Sequence, residues 1–168
     1  MNIVELRKLS LEFRRLSSNL LNSTDDTADI NLSRFLKFID GNDLISGIIK
    51  DKISGVDYDF KECYNVEVDG WAEYTPPENE DCHIKAQYDY LKYICDNENI
   101  NVMGQSFNYC WTSNNTNDNI QSFLEMTFKP LIDFINDQIS IEMIIYDEEA
   151  KAMGGNTYIQ NIETVNGS

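Results

Sequence analysis

The chain has 168 residues, about the length of one domain. Its 42% hydrophobic and 11% aromatic content can bury a core, so a formal net charge of -16 does not make it a disordered chain. With 29 acidic against 13 basic side chains it is poorly equipped to bind nucleic acid or anionic lipid directly, since both require Lys or Arg in place of counterions.

The charge is unevenly placed. Residues 1–50 hold seven basic and seven acidic side chains, whereas 51–168 hold six basic and 22 acidic, so the whole net charge lies in the last two thirds. A field of that sign draws in a basic protein surface and speeds its encounter; the plainer reading is a solvated acidic surface that keeps the chain soluble. Charges at Glu5, Arg7 and Lys8 interrupt what a secretory signal would need as an apolar run, and no apolar stretch reaches the length of a membrane span. The expectation is a cytoplasmic protein with reduced cysteines and no membrane contact. Cys82 and the sole histidine, His83, are adjacent in sequence and no C-x-x-C occurs, so neither a metal nor a cofactor is expected.

In chain order, Leu6, Leu9, Phe13, Leu16 and Leu20 recur at spacings of three and four, which predicts a helix over 2–22 with one apolar seam. Such a seam suits an ordinary bundle and also leaves a homo-oligomer open. A second helix is predicted over 29–40 from Leu32, Phe35, Leu36 and Ile39, and a third from Leu44 to Ile53. Gly47 inside the third implies a close helix contact or a bend. Residues 56–75 stay ambiguous. Tyr64, Val66 and Val68 alternate as a strand does and Asp69-Gly70 is a hairpin signal, but that turn sets Val66 opposite Glu73, and Phe60, Tyr64, Val68 and Trp71 equally fit a helical stripe.

Pro76-Pro77 marks a break before a helix that runs from Asp81 and ends near Asn97 to Asn101, with Ile84, Tyr88, Leu91 and Cys95 inward and Tyr90 and Tyr93 on its surface. The span around Phe107 to Trp111 is too short to classify. A long last helix begins near Asp118 and contains Pro130, where a kink or a change of partner is expected. The fold class is therefore mainly α: an irregular bundle of about five helices over 1–150, with a small β-hairpin admitted near 56–75. Residues 151–168 form a Gly/Asn-rich, β-prone tail or linker that reads as the start of a further module.

That tail, Gly-Gly-Asn-Thr-Tyr-Ile-Gln-Asn-Ile-Glu-Thr-Val-Asn-Gly-Ser after a helical block, resembles regions of bacterial phage-defence and abortive-infection proteins, in which a helical domain leads into Asn/Gly/Ile-rich repeats. The resemblance implies a regulatory or interaction domain in antiviral defence and supplies no functional residues.

No Ser-His-Asp or Cys-His system can be assembled around a lone histidine at a helix start, and the phosphate-cradling glycine motifs are missing, so no catalytic residue is expected. An enzyme with an unfamiliar motif is the least favoured reading. Tyr and Trp beside carboxylates are suited to gripping Arg or Lys of a partner, which singles out Trp71, Tyr74, Glu78, Glu80, Asp81, Tyr90 and Tyr93 as a partner-binding set. The favoured function is a non-enzymatic protein-binding, regulatory or assembly domain with a basic partner surface. The alternative is an acidic mimic of nucleic acid that inhibits a DNA- or RNA-binding enzyme.

Overall fold

The fold, taken from a computed structural model, is described over residues 1–65, 72–110 and 113–166, with side chains to Gly154. Seven helices and one two-stranded antiparallel sheet make it mainly α: α1 (Ile3–Leu21), α2 (Ala28–Gly41), α3 (Asp43–Ile53), α4 (Phe60–Cys63), β1 (Tyr64–Asn65), β2 (Glu73–Tyr74), α5 (Glu80–Asp96), α6 (Val102–Tyr109) and α7 (Thr116–Asn166).

Asparagine starts most of these helices. Asn2 accepts from Glu5 N–H while the Glu5 carboxylate accepts from Asn2 N–H, both at 2.9 Å, a reciprocal cap that satisfies two of the orphan donors of α1. The side chains of Asn42, Asn79 and Asn101 accept from Ile45, Cys82 and Gly104 N–H and begin α3, α5 and α6 in the same way. Asn115 accepts from Asn117 and Asp118 N–H at the head of α7.

The core is one cluster built around the first half of α7. Leu6, Leu9, Phe13 and Leu20 of α1 are buried against it, so the seam read in the sequence is consumed inside the monomer; Leu16 is half-buried. Leu32, Phe35, Leu36 and Ile39 of α2 and Ile45 and Ile49 of α3 close the same core, as their spacing predicts. Gly47 does not mark a close approach: a methyl group added there would meet nothing within 4 Å. In contrast, Gly55 has φ +73, the left-handed conformation that ends the α3 turn and strains any other residue.

Residues 60–74 hold both of the structures that their sequence left open. Asp59 caps the short helix α4, after which Tyr64 pairs with Tyr74 and Asn65 with Glu73. The Asp69-Gly70 turn predicted Val66 opposite Glu73, so the observed pairing is one residue out from that hairpin; residues 66–71 themselves lie outside the described set. The single turn of helix brings Tyr64 onto the core face, where its ring stacks on Tyr90 at 4.5 Å and 11°.

Two expectations fail. Tyr90 was placed on the surface of α5 and is instead fully buried, because the inward face of that helix is Ile84, Gln87, Leu91 and Ile94 with Tyr90 between them; Tyr88 and Cys95 are only half-covered. The tail expected to be β-prone continues α7 to Asn166, consistent with the three-residue spacing of Ile159, Ile162 and Val165.

Pro130 does not end α7. It has no N–H to offer the Met126 carbonyl, and the neighbouring backbone is held by other elements: Leu131 N–H donates to Gln87 Oε1 at 2.7 Å, and Tyr64 O–H donates to the Thr127 carbonyl at 3.2 Å. α5 and β1 thus take over hydrogen bonds that a proline-bearing helix leaves exposed in a dry interior.

Candidate docking surface

The residues singled out by sequence do not form one face. Trp71 lies outside the described residues. Tyr74, on β2, is half-buried, stacks on Tyr64 at 5.4 Å, and places its hydroxyl 2.8 Å from His83 Nε2. Burial pushes the Tyr74 hydroxyl up to about 12, with the nearby Cys63 thiol adding to it, so the phenol stays neutral. Burial also lowers His83 against the opposing charge of Glu80.

Glu78 is exposed in the loop before α5. Glu80 and Asp81, in the first turn of α5, where carboxylates suit the helix dipole, are both engaged by Lys52 of α3 at 3.6 and 2.9 Å. Hydrogen bonding to Asp81 is the main cause of the raised pKa of Lys52, whose ammonium also lies 5.0 Å from the centre of the Phe134 ring. Tyr93 is half-buried with its ring 5.2 Å from Phe60. With Tyr90 inside the core, the candidate set reduces to Tyr74, Glu78, Glu80 and Asp81 around the head of α5.

The buried thiols and phenols are held in their neutral forms. Burial raises the Cys63 thiol to about 11 and the Cys95 thiol to about 11, the reverse of what a nucleophile needs. It also raises Tyr64 and Tyr90, and the Tyr90 hydroxyl is spent on Gln105 Oε1. Among the described residues no group of three or more His, Cys, Asp or Glu is placed to hold a metal ion, and no described helix is long and apolar enough to cross a membrane. A surface groove of about 270 Å³ between α2 and α5 is lined by Asp29, Leu32, Cys95 and Asn101, but the Asp29 carboxylate is engaged by Val102 N–H at 2.9 Å.

The surface with the largest unmet demand lies elsewhere. α1 and α7 run antiparallel: Gln121 Nε2 donates to the Ser23 carbonyl at 3.2 Å at one end, and Tyr146 O–H donates to the Met1 carbonyl at the other. Arg7 reaches Asp147 at 3.5 Å just past that point. Met143 and Tyr146 still pack against the core here, so the side of α7 away from α1 is the one left uncovered. Among the described side chains of α7 the last buried one is Ile139, and Ile141, Ile144 and Ile145 are 46%, 60% and 44% exposed, bordered by Glu142, Glu148 and Glu149.

At the rise of an α-helix, the 51 residues of α7 extend about 75 Å, well beyond the diameter of a small domain. The outer face of α1 is also apolar and basic, with Val4 and Leu11 55% and 66% exposed between Lys8 and Arg15. The sequence carried a signal for this surface. Ile141, Ile144 and Ile145 do not continue the 128-131-135-139 spacing of the buried stripe.

Comparison with known proteins returned no matching family model, no matching curated protein and no matching solved structure. The resemblance of the tail to phage-defence proteins therefore gains no relative to rest on.

Proposed function

We propose that this chain is a non-enzymatic protein-binding and assembly domain whose docking element is α7 beyond Ile139, and whose partner is a basic protein surface that also offers apolar side chains. The observation that supports the reading is the mismatch within one helix: α7 is helical to Asn166, but no described side chain after Ile139 is buried. Fully covering an isoleucine is worth about 1.5–3 kcal/mol, so Ile141, Ile144 and Ile145 offer a substantial gain to any surface that covers them. Glu142, Glu148 and Glu149 around them favour Lys and Arg on that surface and steer its approach.

A nucleic-acid mimic would hold its carboxylates free along one face. Here Glu80, Asp81, Asp89, Asp133 and Glu148 each lie within 4 Å of a lysine of the same chain, and exposed isoleucines interrupt the acidic face of α7, which favours the docking reading over mimicry. The setting in antiviral defence rests on the tail resemblance alone and adds no residue to the test.

The test is affinity capture from native lysate with the wild-type chain and with Ile141→Asp/Ile144→Asp. Wild type is expected to retain a partner that the variant and a high-salt wash both release. Identical capture by the two chains would remove α7 from the role.

A further inference from the structure

The partner required by that reading is basic and apolar along a helix-sized strip, and the chain carries such a strip itself. Val4, Lys8, Leu11 and Arg15 are spaced four, three and four apart, so they form one line on the side of α1 opposite its buried seam of Leu6, Phe13 and Leu20. Val4 and Leu11 are among the most exposed large apolar side chains of the molecule. Arg15 has only Glu12 at 3.8 Å, a solvent-exposed pair that costs little to exchange.

The geometry points to a second copy of this chain as the occupant: a two-fold dimer in which the outer face of α1 in one copy packs along the Ile141–Glu149 stretch of α7 in the other. Because α1 and α7 are antiparallel within a chain, a two-fold axis perpendicular to the pair lays α1 of one copy parallel to α7 of its partner, and the contact occurs twice by symmetry. In the register that sets Leu11 between Ile144 and Ile145, advancing four residues on each helix brings Arg15 to Glu148 and Glu149. Stepping back three brings Lys8 to Ile141 and Glu142. Leu11 meets apolar side chains and each cation meets a carboxylate, while Val4 reaches the level of Asp137 and Gln138. Pairing α7 with α7 instead would set Glu142, Glu148 and Glu149 against one another, and pairing α1 with α1 would set Lys8 against Arg15, with Glu12 beside Leu11 engaged by Arg15 of its own helix.

This inference rests on α7 being the docking element, and the experiment separates the two. The full chain is measured by sedimentation equilibrium as wild type, as Lys8→Glu/Arg15→Glu, as Glu142→Lys/Glu149→Lys, and as all four substitutions together. All four positions are at the surface or half-covered, and thermal melts confirm that each variant folds. The expected result is a wild-type species of twice the 19.4 kDa chain mass, dissociation weakened about tenfold or more in each two-site variant, and recovery to within about threefold of wild type in the four-site variant.

A wild-type chain that stays monomeric into the submillimolar range overturns the self-pairing. In that case, loss of a lysate partner on Ile141→Asp/Ile144→Asp still upholds α7 as the docking element, and no loss removes both. A dimer indifferent to the charge reversals, or one that the four-site variant fails to restore, places the interface elsewhere and also overturns the proposal.

Discussion

The two halves of α7 share a backbone conformation and differ in what lies opposite them. From Ile120 to Ile139 the helix offers Ile120, Phe123, Leu124, Phe128, Leu131 and Ile135 to α1, α5 and α6, and all of these are fully covered. From Ser140 onward Met143 and Tyr146 keep α7 against the core, while Ile141, Ile144 and Ile145 lie on a different face that nothing described closes over. Periodicity therefore reports that a helix has an apolar face; only what packs opposite that face decides whether it is core or surface.

The sharpest way to break this comparison is to truncate one side chain in each half. Phe128→Ala is expected to destabilise by about 3–5 kcal/mol, since Phe128 is wholly buried against Tyr90 and Phe123 and its removal leaves a cavity that stiff rings refill poorly. Ile144→Ala should change the stability of the monomer by no more than about 0.5 kcal/mol, because 60% of its surface is already in water. Urea midpoints on dilute protein measure both. Comparable losses at the two positions would mean that the second half is packed after all.

Much of the fold was legible because it obeys short-range rules. The helices α1, α2 and α3 follow their apolar spacing to within one or two residues, α5 starts within one residue of its expected position, and asparagine marks where several of them start. The errors arise where a distant contact outweighs local pattern. Gln87, polar and buried, and Tyr90, amphipathic and buried, define the inward face of α5 only because Leu131 N–H and Gln105 lie there to receive them, and no window of sequence contains those partners. Glu80 and Asp81 looked like free acid for the same reason, their counterion Lys52 being on another helix. The candidate site suffered most, since an unpartnered apolar face is a statement about what is missing beside a helix.

Between the two halves in expected size is the polar bond that lets the buried half survive a proline. Gln87→Leu keeps the volume and removes the acceptor, leaving Leu131 N–H buried without it beside Pro130, at a cost of about 1–3 kcal/mol. The amide of Leu131 should also exchange with solvent faster than its neighbours in α7. Unchanged exchange at Leu131 would show that the Gln87 bond contributes nothing to holding the helix there.

The smallest effect comes from the other end of the same glutamine. Gln87 Nε2 lies 3.2 Å from His83 Nε2, and Tyr74 O–H lies 2.8 Å from that same ring nitrogen, so His83 is neutral with its proton on Nδ1 and Nε2 accepting. Protonation would turn Nε2 into a donor facing a second donor, and the Gln87 amide cannot turn over to meet it while its oxygen is held by Leu131 N–H. Burial already depresses the pKa of His83, with Glu80 acting against it. A histidine depressed in the folded state contributes stability that is fully present above its unfolded value near 6.5 and is lost as pH falls toward the folded value. His83→Gln supplies an uncharged acceptor near the position of Nε2. Wild type is therefore expected to lose stability relative to His83→Gln as the pH drops from about 7.5 to about 5.5, measured as the difference between their urea midpoints. A gain by wild type over that range would mean that the charged imidazole is the favoured form in the folded protein and that the network from Tyr74 through Gln87 to α7 is wired the other way.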